Sequence, residues 1–281
     1  MIQNFFTYSK IIALLKKLKV VPKKKLGQNY LIDYNIINKS LTFADIKSDE
    51  AIIEVGPGLG SLTSPLLQSG AHVWAVEIDP ILIKHLRHTL LVEFPLTFHL
   101  IEADAVLMPL ANFLGDNRFK IVANLPYAIK IPWLEKILTN SILPEAMVLM
   151  VQKEVGEKLI AQSGKKTFCA MSIFLQSMYK LGPTHLVSPK CFYPIPGVKS
   201  MILTLRKKNN PYQFQKITRN CIRGFFTKRR KQIGSLCRKH PNEFKLKNWL
   251  KYLNNQNISH FTRPEAIEIL HWKALDKILN S

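Results

Sequence analysis

The chain has 281 residues, 47% of them hydrophobic, with 40 Lys and Arg against 19 Asp and Glu and a formal net charge of +21. Length and apolar content exclude a disordered or fibrous chain and suffice for one full core and a second small one. The positive field favours a polyanionic partner, nucleic acid first, because it concentrates phosphate backbones at the surface.

Near the start, Ser9–Val21 reads SKIIALLKKLKVV, which mixes aliphatic and lysine positions without an uninterrupted apolar run or a cleavage pattern. It predicts an amphipathic arm that packs on the domain or contacts RNA phosphates, with no membrane partner. Lys23, Lys24 and Lys25 extend its charge as candidate phosphate contacts. A helix is expected over 34–41, a buried strand at AIIEV over 51–55 and a helix over 62–68. Next come a strand over 72–78 and a helix over 80–91 opened by Pro80. The alternation continues with strands at 97–104 and 119–125, a helix over 132–138 and a strand over 146–152. Such repeats bury a mostly parallel sheet between helical layers. A helix is expected over 168–180, and 191–206 carries two prolines before alternating into a strand, a hairpin-like finish to the sheet.

From Lys207 onward the pattern is helical and strongly basic, 17 Lys and Arg against 4 Asp and Glu, so a boundary is expected there: a catalytic domain with its basic arm over 1–206 and a basic helical domain over 207–281. Candidate phosphate contacts in the second part are Arg219, Arg223, the Lys228, Arg229, Arg230, Lys231 cluster and Arg238. The four cysteines, Cys169, Cys191, Cys221 and Cys237, form neither CxxC nor a Cys/His cluster, which predicts free thiols in a reducing compartment and no metal site.

Two separated signals carry the chemistry. In EVGPGLG, Glu54–Gly60, the glycines Gly56, Gly58 and Gly60 let backbone approach a ligand across the strand ends, and the spacing is GxGxG rather than the dinucleotide GxGxxG. Glu77 ends the next strand 19 residues after Gly58, where a carboxylate can accept from ribose hydroxyls; Asp79 suits the cap of the helix at Pro80; Asp104 ends the third strand and can accept from an adenine amino group. The second signal is NLPY, Asn124–Tyr127. The Asn124 side-chain oxygen and the Leu125 carbonyl can accept both hydrogens of a planar amine, while Pro126 fixes the bend and Tyr127 stacks on the base. That arrangement points to methyl transfer onto a base nitrogen, achieved by orientation rather than by a titrating base. Phe192 is a candidate second aromatic wall.

With these residues, and with LGQNYLID at Leu26–Asp33, EADA at Glu102–Ala105, QKEV at Gln152–Val155, FYPIPGVKS at Phe192–Ser200 and RPEAI at Arg263–Ile267, the chain resembles the ribosomal RNA adenine N6-dimethyltransferases, closest to those of the small subunit. The resemblance implies a Rossmann-like α/β S-adenosylmethionine-dependent methyltransferase fold with a small C-terminal helical domain. It also implies dimethylation of two adjacent adenosines in the 3′-terminal hairpin loop of small-subunit (16S) RNA within a 30S assembly intermediate, by a cytoplasmic protein that is monomeric when free. It assigns Gln28, Asn29, Leu31, Gly56, Gly58, Glu77, Ile78, Asp104, Ala105 and Asn124 to the S-adenosylmethionine pocket. The alternatives are a large-subunit enzyme conferring antibiotic resistance and a non-catalytic assembly factor. The chain departs from the pattern at Phe168–Cys169, where an aromatic followed by glycine is expected, and at Lys130, which replaces a small hydroxyl residue.

Overall fold

A computed structural model of the chain describes residues 8–115 and 118–281, apart from the Lys24 side chain. Its contacts resolve into two compact units: one runs to Gly156 and takes up Lys180–Lys207, the other comprises Glu157–Tyr179 and Lys208–Ser281.

The first unit opens with α1 (Tyr8–Lys17), whose Ile11 and Leu15 are buried among Val20, Tyr30, Leu59 and Leu82 while Lys16 and Lys17 face water. The arm is therefore packed on its domain. Then follow β1 (Tyr30–Leu31), α2 (Tyr34–Ala44), β2 (Ala51–Val55), α3 (Thr63–Gln68), β3 (His72–Glu77), α4 (Pro80–His88), α5 (Leu90–Glu93), β4 (Phe98–Glu102), β5 (Phe119–Asn124), α6 (Lys130–Ile137) and β6 (Ala146–Gln152). Asp33 caps α2 through bonds from the Asn35 and Ile36 amides, and Asp79 caps α4, where Pro80 supplies the preset first turn. The single helix expected over 80–91 breaks at Thr89, whose φ of −123° and ψ of −90° lie outside the helical region.

β2 to β6 are parallel; β2, β3, β5 and β6 are mostly buried and largely apolar, as strands covered on both faces require, whereas β4, at the sheet edge, buries only Phe98 and exposes Glu102. Beyond them come α7 (Lys153–Leu159), α8 (Ala170–Met178), β7 (Tyr179–Val187), β8 (Phe192–Tyr193) and β9 (Ser200–Lys207). The sheet order is β4-β3-β2-β5-β6-β9-β7, with β9 antiparallel to β6. β7 escaped the sequence reading, which carried a helix to residue 180. It holds Gly182 and Pro183 and is largely exposed, the composition of an edge strand, where a missing N–H leaves no ladder bond unmade. Chain order reverses between β2 and β5, and a doubly wound sheet opens a crevice at that point, outside the carboxyl ends of its strands.

The second unit holds α8 with α9 (Lys216–Thr227), α10 (Ile233–Arg238), α11 (Glu243–Asn255) and α12 (Ile269–Asn280). Its core is aromatic: Phe225, Trp249 and Trp272 are buried with ring centroids 5.1–6.3 Å apart, and both indole N–H groups donate to backbone carbonyls, His271 O at 2.9 Å and Ile267 O at 3.2 Å. The boundary thus differs from one at 206/207, because 157–179 joins the helices. The Ser172 hydroxyl and Gln176 amide tie 158–161 onto α8, and Lys208 Nζ donates to Gln176 O at 2.6 Å. Phe168 is fully buried edge-on to Phe226, 6.1 Å between centroids, so that departure fills the core of this unit.

Candidate active site

A cavity lies at the carboxyl ends of β2, β3, β4 and β5, closed on one side by the loop before β1. Its glycine turn follows β2: Gly56, Gly58 and Gly60 have φ of +66°, +61° and +85°, and a Cβ at Gly56 would meet Pro126 Cγ at 3.0 Å. Glu77, at the end of β3, is buried and accepts three backbone bonds: from Ile78 at 2.8 Å, Asp79 at 3.0 Å and Gly58 at 3.2 Å. Of the roughly four lone-pair sites of a carboxylate, one on Oε2 remains, beside the longest of these bonds. Burial raises the Glu77 pKa, with the three amides opposing the shift and the Asp79 charge adding to it. Asp104, after β4, accepts the Val106 amide at 2.8 Å on Oδ1, and Ala105 lines the cavity beside it.

Glu54, in β2, is 2% exposed, lines the same cavity and has an Oε2 without a hydrogen-bond partner. Burial pushes its carboxyl up to about 8, the Thr63 hydroxyl offsetting part of the shift and the Glu77 charge adding to it. The sequence reading assigned Glu54 no role, although a carboxylate within AIIEV, a strand expected to be buried, was the signal that could have found it.

The entry loop carries Gln28, Asn29 and Leu31, all of which line the cavity. Gln28 uses both ends of its amide on the protein, donating to Asp79 Oδ2 at 3.0 Å and accepting the Lys23 backbone N–H at 2.8 Å. Lys23 is held by Asp79 at 2.9 Å, which gives its ammonium a partner other than phosphate. Burial opposes ionisation of Asp79, but its bonds from Lys23, Gln28 and the Ile81 amide hold it below the usual carboxylate range. Gly27, missed at the sequence level, has φ of +64°, and a Cβ there would come within 2.8 Å of the Tyr127 backbone nitrogen.

NLPY begins on Asn124, the last residue of β5, and runs beside the glycine turn, Pro126 lying against Gly56, with both segments lining the cavity. Asn124 Nδ2 donates to Asn29 O at 3.1 Å. A carbonyl can only accept, so the amide orientation is fixed and Oδ1 is left as an acceptor. Neither that oxygen nor the Leu125 carbonyl takes a bond from a described residue. Tyr127 is fastened twice: its hydroxyl bonds Ser200 Oγ at 2.8 Å, and its carbonyl accepts from Lys130 Nζ at 2.7 Å. The same ammonium donates to Gln152 Oε1 at 2.6 Å and lies 5.3 Å from the Tyr127 ring centroid. Gln152 and Ser200 are a cross-strand pair of β6 and β9, so one rung of the sheet anchors the segment at both points. Burial lowers the Lys130 pKa.

Phe192 does not form the second wall expected of it. It is fully buried on β8 opposite Leu31, within the main core and outside the cavity lining, so its ring has no free face. Arg219 and Arg223 lie 6.0 and 5.5 Å from the Phe174 ring centroid, and Arg229 lies 3.8 Å from Glu265. Lys25, Lys228, Arg230, Lys231 and Arg238 are exposed, and the Lys24 side chain lies outside the described residues. All four cysteines are free; among the described residues no acidic, His and Cys cluster could hold a metal ion, and no helix is long and apolar enough to cross a membrane.

The family model for ribosomal RNA adenine dimethylase matches residues 21–275. The chain belongs to that family. It is an S-adenosylmethionine-dependent rRNA adenine N6-methyltransferase. A relative from Opitutus terrae named ribosomal RNA small subunit methyltransferase A is 48% identical over 264 residues, covering 93% of this chain and 95% of the relative. One from a Picosynechococcus species with the same name is 34% identical, covering 92% and 97%. The methyltransferase shares its fold with a dimethyladenosine transferase from Plasmodium falciparum, at a TM-score of 0.74, 24% identity and coverage of 89% and 97% of the two chains. The 23S rRNA methyltransferase ErmE superposes with a TM-score of 0.65 at 23% identity, covering 90% and 100%.

Proposed function

We propose that the methyltransferase converts two adjacent adenosines in the 3′-terminal hairpin loop of small-subunit ribosomal RNA to N6,N6-dimethyladenosine, acting as a monomer on a 30S assembly intermediate. One observation carries the reading: Asn124 Oδ1 and the Leu125 carbonyl remain as acceptors beside the doubly fastened Tyr127, in the wall of the cavity that holds Glu77 and Asp104. The small-subunit names of relatives up to 48% identical support the choice of RNA.

The residues fit S-adenosylmethionine. Glu77 Oε2 keeps an acceptor site for a ribose hydroxyl, Asp104 Oδ2 suits an adenine amino group, and the orphaned Glu54 Oε2 suits an ammonium. Gly56 and Gly58 leave room where side chains would obstruct, and Asn29, Leu31, Ile78 and Ala105 complete the lining. When bound, the cofactor supplies an electrophilic methyl group on a sulfonium. Everything else falls to the chain. Asn124 Oδ1 and Leu125 O accept the two N6 hydrogens, which localises the nitrogen lone pair and orients it for in-line attack. The Tyr127 ring stacks on the base and offsets about 1–3 kcal/mol of the cost of taking it out of its stack in the loop. Methylation leaves a cationic nitrogen whose two hydrogens are acidic; one proton leaves to water and one hydrogen stays on the neutral monomethylated amine. A second turn requires the monomethylated nitrogen to re-enter with one hydrogen, for which one acceptor suffices.

Undermethylated small subunits incubated with methyl-labelled S-adenosylmethionine provide the test, with Asn124→Ala and Tyr127→Ala proteins as controls. Dimethyladenosine at two adjacent positions of the 3′-terminal hairpin, lost in the controls, is the expected result. Label only in large-subunit RNA, or tight subunit binding without transfer, would overturn it.

A further inference from the structure

The second unit contains an open cleft, apart from the catalytic cavity, lined by Arg230, Lys231, Gln232, Ser235, Phe261 and Arg263. Two strips of chain form it. They are joined by backbone bonds from Ile233 N to Thr262 O at 2.8 Å and from Gly234 N to His260 O at 2.9 Å. The approach is close: a Cβ at Gly234 would lie 3.0 Å from His260 Cβ and 3.1 Å from its carbonyl oxygen. The cleft is thus a fixed feature in which Arg230 and Lys231, from one strip, stand beside Arg263, from the other.

Its chemistry is lopsided. None of Arg230, Lys231 and Arg263 has a carboxylate partner among the described residues, whereas the adjacent Arg229 has Glu265. Three cations around one cleft repel one another unless an anion joins them. Phe261 is 61% exposed, a poor place for a phenyl ring in water, and its backbone N–H is held by Ser259 Oγ at 3.2 Å. The His260 imidazole packs on one side of it at 4.0 Å between centroids, which leaves the other side open. Gln232 and Ser235 add neutral hydrogen-bonding groups.

We propose that this cleft binds one unpaired nucleotide of an RNA strand, with Arg230, Lys231 and Arg263 on the phosphate and Phe261 stacked on the base. Cations alone would take any phosphate; an exposed aromatic beside them selects a strand whose bases are free to splay. The site is a second anchor, independent of the base pocket, and rests on the proposed function only for the choice of RNA as ligand.

The full-length protein is titrated into a fluorescent ten-nucleotide oligoadenylate and into an RNA duplex of equal length, over a range of salt. Arg263→Gln weakens oligoadenylate binding and makes the slope of log affinity against log salt shallower by about 0.7, the value for one phosphate contact on a single strand. Phe261→Ala weakens the oligoadenylate about fivefold or more, leaves duplex binding and the salt slope unchanged, and is rescued by Phe261→Trp. Circular dichroism establishes that each variant is folded. Lys251→Gln, an exposed lysine of α11 outside the cleft, is the charge control. Equal losses for Lys251→Gln and Arg263→Gln would reduce the cleft to part of a diffuse basic face and overturn the proposal. So would unchanged binding of Phe261→Ala, or displacement of the oligonucleotide by millimolar inorganic phosphate. Binding is read without methyl transfer, so failure of the proposed reaction and failure of this site are told apart.

Discussion

Glu54 makes the stability of the methyltransferase depend on pH in a way that one substitution removes. The carboxyl sits inside β2 with Oε2 unpaired, and burial raises its pKa from 4.5 to about 8. A carboxyl raised in the folded state contributes stability that is complete below its unfolded pKa and is lost as pH rises through the folded value. Between about pH 4.5 and 8 the native chain therefore holds a proton that the unfolded chain has released, and each pH unit costs about 1.4 kcal/mol. The full span amounts to about 5 kcal/mol, a large part of the 5–15 kcal/mol that typically holds a domain together. Glu54→Gln keeps the shape and removes the titration. Urea unfolding followed by circular dichroism at pH 5, 6, 7, 8 and 9, on both proteins, gives the stability difference at each pH, in which other titrating groups cancel. The variant should gain on the parent steadily from pH 5 and level off above about pH 8. A difference constant across the range would show that the cavity hydrates or neutralises this carboxylate, and the argument from burial would fail.

Gly27→Ala places a methyl 2.8 Å from the Tyr127 nitrogen at a φ of +64°, so the loop before β1 must move off NLPY; about 1–2 kcal/mol of backbone strain adds to the clash, and kcat should fall while urea unfolding shows a loss of at least that size. Tyr127→Phe keeps the ring and drops only the bond to Ser200, so it should retain activity within about tenfold and lose about 1 kcal/mol of stability. Tyr127→Ala should weaken binding of an adenine-containing strand by the stacking it loses, about 1–3 kcal/mol, with S-adenosylmethionine affinity measured by calorimetry unchanged. Lys130→Met strips a donor from both the Tyr127 carbonyl and Gln152, and should cost about 1–3 kcal/mol in unfolding together with a reduced kcat.

The alternation of apolar runs with amphipathic stretches was enough to place β2 to β6 and the helices between them, because buried parallel strands need continuous apolar residues and helices on a sheet need one apolar face. The glycine turn, the cap at Asp79 and the NLPY acceptors were legible for the same reason: their chemistry is local, set by φ, by a fixed offset along the chain or by one side chain and its neighbour's carbonyl. What sequence could not reveal depends on residues distant in the chain. Phe192 looks like any exposed aromatic in a proline-rich loop until its pairing with Leu31 buries it completely. Lys23 reads as a free cation until Asp79, 56 residues away, takes its ammonium. The edge strand β7 carries glycine and proline that argue against a strand wherever both sides are paired. Lys130, a departure without an evident role in the sequence, acquires one when the Gln152–Ser200 rung comes under NLPY and both fasten Tyr127. Local pattern determined the elements and the chemical vocabulary of the site; the sheet register decided which side chains remain free to use it, because a hydrogen bond or a buried face is a property of two segments and is written in neither alone.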